Sequence, residues 1–136
     1  MDINISNSYS QRLKVLNISV IYLFGSFAED KTMQFSDIDI GILLTQEAMV
    51  DTGKDMGEIY NQVYDVLTDI FPSRNIDIVF LQKAPLELRF DVITHGRILY
   101  ESSRDASLKF EEDTMILYAD FKPLLTEINE IILNRA

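Results

Sequence analysis

Two aspartates two residues apart are the feature of this sequence that is best suited to chemistry. Residues 37–44 alternate between polar or small and apolar side chains, which predicts a strand with Asp37 and Asp39 on one face. Their Cα atoms would lie about 6–7 Å apart, and two ionised carboxylates in apolar surroundings repel each other. A divalent cation between them removes this cost, and ligands that are all oxygen favour magnesium or manganese.

A third aspartate, Asp77, interrupts the apolar segment 76–81, which is predicted to form another strand. If this strand lies beside the strand of Asp37 and Asp39, three carboxylates share one site. Three acids around one or two metal ions are typical of phosphoryl and nucleotidyl transfer, in which one acid deprotonates the attacking group. The alternative interpretation is that Asp77 lies on an edge strand and contacts only water.

Gly25 and Ser26 directly follow the apolar segment 18–24. A glycine lets the backbone approach a phosphate closely, and Ser26 adds a hydroxyl and an amide donor. A helix cap is the simpler interpretation of Ser26, although capping and phosphate binding are compatible. Neither a Walker P-loop nor a GxGxxG motif occurs, which argues against the common NTPase and dinucleotide-binding folds.

The remaining periodicity predicts the elements that position these residues. Strands are expected over 18–24, 37–44, 76–81 and 97–101, and helices over 6–16, 53–70, 85–95 and about 105–134. We expect Gly96 to end the third helix and Pro123 to kink or break the fourth. The fold class is therefore α/β or α+β, a small mixed sheet covered by helices with a long C-terminal helix.

The last helix carries an apolar stripe of Leu117, Phe121, Leu124, Leu125, Ile128, Ile131 and Ile132. Packing in the core is the expected role of such a stripe, and a partner interface is the alternative. We expect a single domain over residues 1–136, with residues 105–134 as its C-terminal helical segment.

Composition narrows the class of protein further. The chain has 22 acidic and 12 basic residues, a net charge of −10 and no Lys/Arg cluster, which argues against direct binding of nucleic acid. This acidity suits a basic protein partner, or it simply keeps the protein soluble. The chain has no cysteine, no apolar run of about 20 residues and no pattern of a secretory signal, so we expect a cytoplasmic protein away from membranes.

The segment Gly25-Ser26-Phe27-Ala28, followed by Ser36-Asp37-Ile38-Asp39, resembles the GSxAxG…SDxD signature of the DNA polymerase β-like nucleotidyltransferase superfamily. More narrowly, the chain resembles the minimal nucleotidyltransferases of the MntA antitoxin type, from HEPN/MNT toxin–antitoxin systems. This resemblance implies the polymerase β-like fold. It also implies a metal-dependent enzyme that uses ATP together with two Mg²⁺ ions.

The resemblance also implies the residue roles. Asp37 and Asp39 would bind metal, Asp77 would be the third acid and the base, and the triphosphate would lie against Gly25, Ser26 and Ser36. The acceptor in that family is a tyrosine of a HEPN-domain ribonuclease toxin, which receives AMP. The toxin would then also be the partner in a complex.

One departure from the family pattern keeps other functions open. Family members commonly carry Arg-Gly after the alanine, whereas this chain has Glu29 and Asp30, and only Lys31 nearby offers a compensating charge. An antitoxin with a degenerate site, which neutralises its partner by binding alone, is therefore one alternative. A nucleotidyltransferase acting on a small molecule such as an aminoglycoside is another, although such enzymes usually carry an additional domain for the acceptor.

Overall fold

Strands and helices alternate along the chain in the computed structural model, which describes residues 5–25, 37–45, 56–72 and 74–134. The elements are α1 (Asn7–Val15), β1 (Ile18–Phe24), β2 (Ile38–Leu44), α2 (Met56–Ile70), β3 (Ile76–Phe80), α3 (Leu86–His95), β4 (Arg97–Glu101) and α4 (Arg104–Asn134), with a 3₁₀ turn at Leu81–Lys83 between β3 and α3. The predicted fold class is confirmed.

The four strands of the described chain form one sheet in the order β3-β2-β1-β4. The central strand β1 is antiparallel to both of its neighbours, whereas β2 and β3 are parallel. All seven residues of β1 are buried, which explains why its sequence is apolar at every position except Ser19 instead of alternating. The sheet is therefore mixed, as the sequence predicted.

Helices cover both faces of this sheet. On one face, α1 and α2 pack on the strands through residues such as Leu13, Ile59 and Val63. On the other face, α3 and the start of α4 contribute Val92 and Phe110 to a smaller core. None of the helices in the described ranges is both long enough and apolar enough to cross a membrane.

Gly96 ends α3 as predicted, but for a different structural reason. Its backbone is extended (φ −80°, ψ 169°) and is not in the left-handed conformation that usually favours glycine at this position. A Cβ atom would instead collide with the carbonyl oxygen of Val92 and approach that of Leu23 to 3.1 Å. Glycine is therefore required here mainly by the last turn of α3 itself, and β1 leaves little room as well.

The first half of α4 is fixed to the body of the domain. Tyr22 on β1 donates a hydrogen bond to Glu111 (3.0 Å), and its ring lies 6.0 Å from that of Phe110. Burial, together with the charge of Glu111, raises the pKa of Tyr22, so its hydroxyl stays protonated as a donor. Two turns farther along, Tyr118 stacks on Phe90 of α3 with ring centroids 3.8 Å apart.

The second half of α4 differs from the prediction in two ways. The helix does not break at Pro123 but continues to Asn134, so of the two predicted effects of this proline the break is wrong and the kink stays a prediction. The apolar stripe was expected to pack in the core, and this was wrong for most of it, because five of its seven members are exposed: Leu117, Leu124, Ile128, Ile131 and Ile132. Phe121 and Leu125 are partly buried, so the described chain leaves most of the stripe uncovered but not all of it.

Candidate active site

The site begins where β1 ends. Gly25, directly after Phe24, has φ +73°, a left-handed conformation that L-residues other than glycine rarely adopt. A Cβ atom at this position would also collide with the side-chain carboxylate of Asp39. Gly25 therefore serves two purposes, since it turns the chain out of the sheet and leaves room for the carboxylate.

Asp39 lies between two neighbouring strands at this end of the sheet. In the sheet register it pairs with Phe24 of β1 on one side and with Asp77 of β3 on the other. Register partners on parallel strands are separated by about 4.8 Å between their Cα atoms and present their side chains on the same face. The predicted proximity of Asp39 and Asp77, which depended on β3 lying beside β2, is therefore confirmed.

The electrostatics of Asp39 show that the three acids act on one another. Burial raises the pKa of the Asp39 carboxyl, and the negative charges of Asp77 and then of Asp37 raise it further. Asp37 itself is exposed and immediately precedes β2, which begins at Ile38, so the predicted start of this strand was one residue too early. The repulsion expected from the sequence is thus present at Asp39.

Asp77 differs from Asp39 in its exposure. It lies on β3, which forms an edge of the sheet, and its side chain is exposed while Ile76 and Ile78 on either side are buried. The two interpretations of this residue from the sequence are therefore compatible, because Asp77 is both an edge-strand acid in water and a neighbour of Asp39.

The chemistry of this donor set fits a hard divalent cation. All three side chains are carboxylates, and a cation would relieve the repulsion that raises the pKa of Asp39. Nevertheless, within the ranges that the structure describes, no three His, Cys, Asp or Glu side chains are arranged to hold a metal ion. The assignment of Asp37, Asp39 and Asp77 as metal ligands therefore stays a prediction.

The structure describes only one of the three residues that we predict to hold the triphosphate. Gly25 is described, but Ser26 and Ser36 lie outside the described residues, as do Glu29, Asp30 and Lys31. A cleft on the described surface, about 700 Å³, lies at the opposite end of the sheet and is lined by residues such as Ser19, Leu44 and Lys109.

Phe24 is the residue at this site whose importance the sequence did not reveal. It was expected only to contribute to the apolar strand, but in the register it lies directly beside Asp39 and belongs to the smaller core. It thereby contributes to the apolar surroundings of the carboxylate. No signal in the sequence could have shown this, because the pairing of β1 with β2 depends on the connection between them.

Comparison with known families gives one match. The family model described as "Polymerase beta, Nucleotidyltransferase" matches residues 5–105, which include every candidate site residue named above. A search of the curated proteins gives no match.

Solved structures share this fold over nearly their whole length. A toxin–antitoxin complex crystallised with AMP-PNP contains a chain that is 25% identical, with a TM-score of 0.66 over 90% of this chain and 94% of that chain. A mutant MntA–HpeT toxin–antitoxin complex gives 25% identity and a TM-score of 0.65 over 93% and 96%.

A third structure shows the fold alone, because the identity is only 22%. It is the tri-AMPylated HEPN toxin of Shewanella oneidensis in complex with its MNT antitoxin, and the TM-score is 0.60 over 93% of this chain and 97% of that chain. The predicted polymerase β-like nucleotidyltransferase fold is confirmed by these comparisons, and so is the resemblance to MNT antitoxins.

Proposed function

Because this chain belongs to the polymerase beta nucleotidyltransferase family, we propose that it is an antitoxin that transfers AMP from ATP to a tyrosine of a cognate HEPN ribonuclease toxin. The observation that carries this proposal is the pairing of Asp39 with Asp77 beside Gly25, at one end of the sheet. The similar chains crystallised with AMP-PNP or with an AMPylated HEPN toxin support the choice of nucleotide and acceptor.

The proposed roles follow from exposure and position. Asp37, Asp39 and Asp77 would hold Mg²⁺, which when bound neutralises the charge of the triphosphate. Gly25 would let the backbone approach the phosphates, together with Ser26 and Ser36. Among the acids, Asp77 is the best candidate for the base, since it is exposed on an edge strand, where a protein acceptor can reach it.

The reaction balances with these groups. The phenolic oxygen of the acceptor tyrosine forms a bond to the α-phosphorus of ATP, and the bond from that phosphorus to the pyrophosphate oxygen breaks. Asp77 accepts the phenolic proton, and pyrophosphate leaves. The tyrosine then carries a phosphodiester with one negative charge, which repels RNA from the toxin if the tyrosine lies where RNA binds. We place this reaction in the cytoplasm.

Neutralisation by binding alone is the second candidate, and two observations favour it. Glu29 and Asp30 replace the usual Arg-Gly, which removes a positive charge near the triphosphate. In addition, α4 exposes apolar side chains that are suited to contact with another protein.

Intact-mass spectrometry of the purified HEPN toxin distinguishes the two. With this protein, ATP and Mg²⁺, we expect the toxin to gain the mass of one or more adenylyl groups and to lose ribonuclease activity. The Asp37→Asn/Asp39→Asn double variant should produce neither change. An Asp65→Asn/Glu112→Gln variant loses the same two charges at exposed sites elsewhere and should behave like the wild type. A toxin that stays unmodified yet is silenced equally by the wild type and the double aspartate variant would leave the binding antitoxin as the function.

A further inference from the structure

Along α4 runs a regular set of residues that we term the α4 seam. Its members are Phe110, Thr114, Leu117, Phe121, Leu124, Ile128 and Ile131, and the intervals between them alternate between four and three residues. This is the spacing of the a and d positions of a coiled coil, and it places all of them on one side of the helix.

The α4 seam is buried at one end and exposed at the other. Phe110 and Thr114 are buried against the sheet. Farther along, Leu117, Leu124 and Ile128 are 48%, 51% and 41% exposed, and Ile131 is 47% exposed. The same spacing therefore continues from the part of the helix that is buried into the part whose apolar side chains are exposed, as if to pack on another helix.

Acidic residues line one side of this seam. In the heptad, the successive g positions are Asp113, Asp120 and Glu127, and the last two precede the apolar a positions Phe121 and Ile128. Asp113 is paired with Lys109 at 3.3 Å, whereas Asp120 and Glu127 form no ion pair among the described residues. Charges at these positions determine which helix a coiled coil accepts.

This charge pattern argues against a second copy of the chain as the occupant. In an antiparallel pair, the g positions of the two helices face each other, so acid would lie against acid. In a parallel pair, Asp120 and Glu127 would face apolar e positions such as Leu125 and Ile132. The net charge of −10 opposes either arrangement.

We propose that the exposed part of the α4 seam binds an amphipathic helix of a basic partner protein, with Lys or Arg of that helix next to Asp120 and Glu127. The apolar contacts would supply the affinity, and the acids would select the partner. This inference rests on the proposed function only for the identity of the partner, which would be the acceptor protein.

Two synthetic helical peptides of about three heptads test the surface itself. Both carry Leu at the a and d positions, but one carries Lys and the other Glu at the e and g positions. Titrated into the full-length protein, the Lys peptide should bind at least about tenfold more tightly than the Glu peptide, because only the former complements the acids. Equal affinity of the two peptides would overturn the charge selection.

Matched variants separate the seam from general attraction between opposite charges. Leu124→Asp/Ile128→Asp makes the protein more acidic, so simple attraction would strengthen binding of the Lys peptide, whereas loss of the seam should abolish it. Ile116→Asp/Leu133→Asp adds the same charge at exposed positions of α4 outside the seam and should preserve binding. Circular dichroism verifies that both variants retain their helices. Undiminished binding by the seam variant would refute the proposal.

Charge removal gives a second matched pair. Asp120→Asn/Glu127→Gln should weaken binding of the Lys peptide, and Glu112→Gln/Glu130→Gln, which removes two acids outside the g positions, should not. If both double variants weaken binding of the Lys peptide equally, the acids at the g positions do not select the partner. Sedimentation of the protein alone tests whether a second copy of the chain covers the seam instead. A dimer of the wild type that is lost in the Leu124→Asp/Ile128→Asp variant would show this.

These measurements are independent of catalysis. Peptide binding needs neither ATP nor the acids of the active site, so the Asp37→Asn/Asp39→Asn variant should bind the Lys peptide like the wild type. Retained binding without AMP transfer by the wild type would overturn the proposed enzyme and leave the docking surface. AMP transfer by a protein that does not bind the Lys peptide would support the proposed enzyme and overturn the docking surface.

Discussion

The two faces of β2 differ sharply, although their residues alternate along a single strand. Ile38, Ile40 and Ile42 are completely buried against α1 and α2, whereas Asp39 lies on the opposite face beside another carboxylate. The first set stabilises the sheet, and the second carries electrostatic repulsion that raises the pKa of Asp39. A strand that is rigidly packed on one face can therefore hold an unfavourable arrangement of charge on the other, and stability and activity should be separable by mutation.

The largest effect is expected at Asp77. Replacing it with asparagine keeps the size of the side chain but removes the proton acceptor, so the rate of AMP transfer should fall by roughly 10²–10⁴-fold, as is usual for a general base. Single-turnover assays at saturating ATP measure this rate. Because Asp77 is exposed, the free energy of unfolding should change little.

Asp91→Asn is a suitable control for this measurement, since it changes an exposed acid on α3, outside the acid cluster. It should leave the transfer rate unaltered. Wild-type transfer by Asp77→Asn would mean that Asp77 is not the base and that the two faces of the sheet are less distinct in function than we propose.

The next effect concerns the buried face. Ile40→Ala should lower the free energy of unfolding by about 2–5 kcal/mol, because it removes buried methyl groups and leaves a cavity. Urea denaturation measures the loss. The folded fraction of this variant should still transfer AMP at nearly the wild-type rate per molecule. If a fully folded sample lost much of this activity, stability and activity would not be separable on the two faces of β2.

The smallest effect is expected at Asp39. Its pKa in the folded protein lies above its ordinary value of 3.8, so the protein loses stability as the pH rises through this range and the carboxyl ionises. Asp39→Asn stays neutral and should be the more stable protein at pH 7 without nucleotide. Since the side chain is partly exposed, we expect a gain of only about a few tenths of a kcal/mol.

Thermal melts at two pH values verify the sign. The advantage of Asp39→Asn should be present at pH 7 and disappear below pH 3.8, where Asp39 of the wild type is also neutral. Added ATP and Mg²⁺ should reverse the order at pH 7, because the wild type would gain stability from binding that the variant lacks. A variant less stable than the wild type at pH 7 would show that ionised Asp39 stabilises the fold.

Local patterns in the sequence predicted most of the fold. The buried run of β1, the alternation of β2 and the helical spacing of α2 each depend on the solvent exposure of one element, so they can be interpreted without knowing its neighbours. The pair Asp37 and Asp39 was found in the same way. Asp77 was different, because its place in the site depended on β3 pairing with β2, which the sequence allowed but did not require.

The errors have different origins. Whether the apolar stripe of α4 is buried depends on which other elements pack against it. The apolar character of Leu124 and Ile128 is the same whether they are buried or exposed, so the sequence could not show that they are exposed. Pro123 was expected to disrupt the helix from its intrinsic preference alone. Glycine is required at position 96 by two carbonyl oxygens, that of Val92 in the preceding turn of the helix and that of Leu23, on a strand more than 70 residues earlier in the sequence.

Pro123 has a further consequence for the motion of α4. Proline has no amide hydrogen, so the carbonyl of Ala119 lacks its usual donor four residues later, just beyond the stacked ring of Tyr118. The hydrogen-bond ladder is thus interrupted where the anchored half of the helix meets the exposed half. The last turns can fray and re-form as a separate cooperative unit while the sheet remains folded. A partner that holds these turns in the helix opposes their fraying, and this cost lowers the affinity for a given contact area.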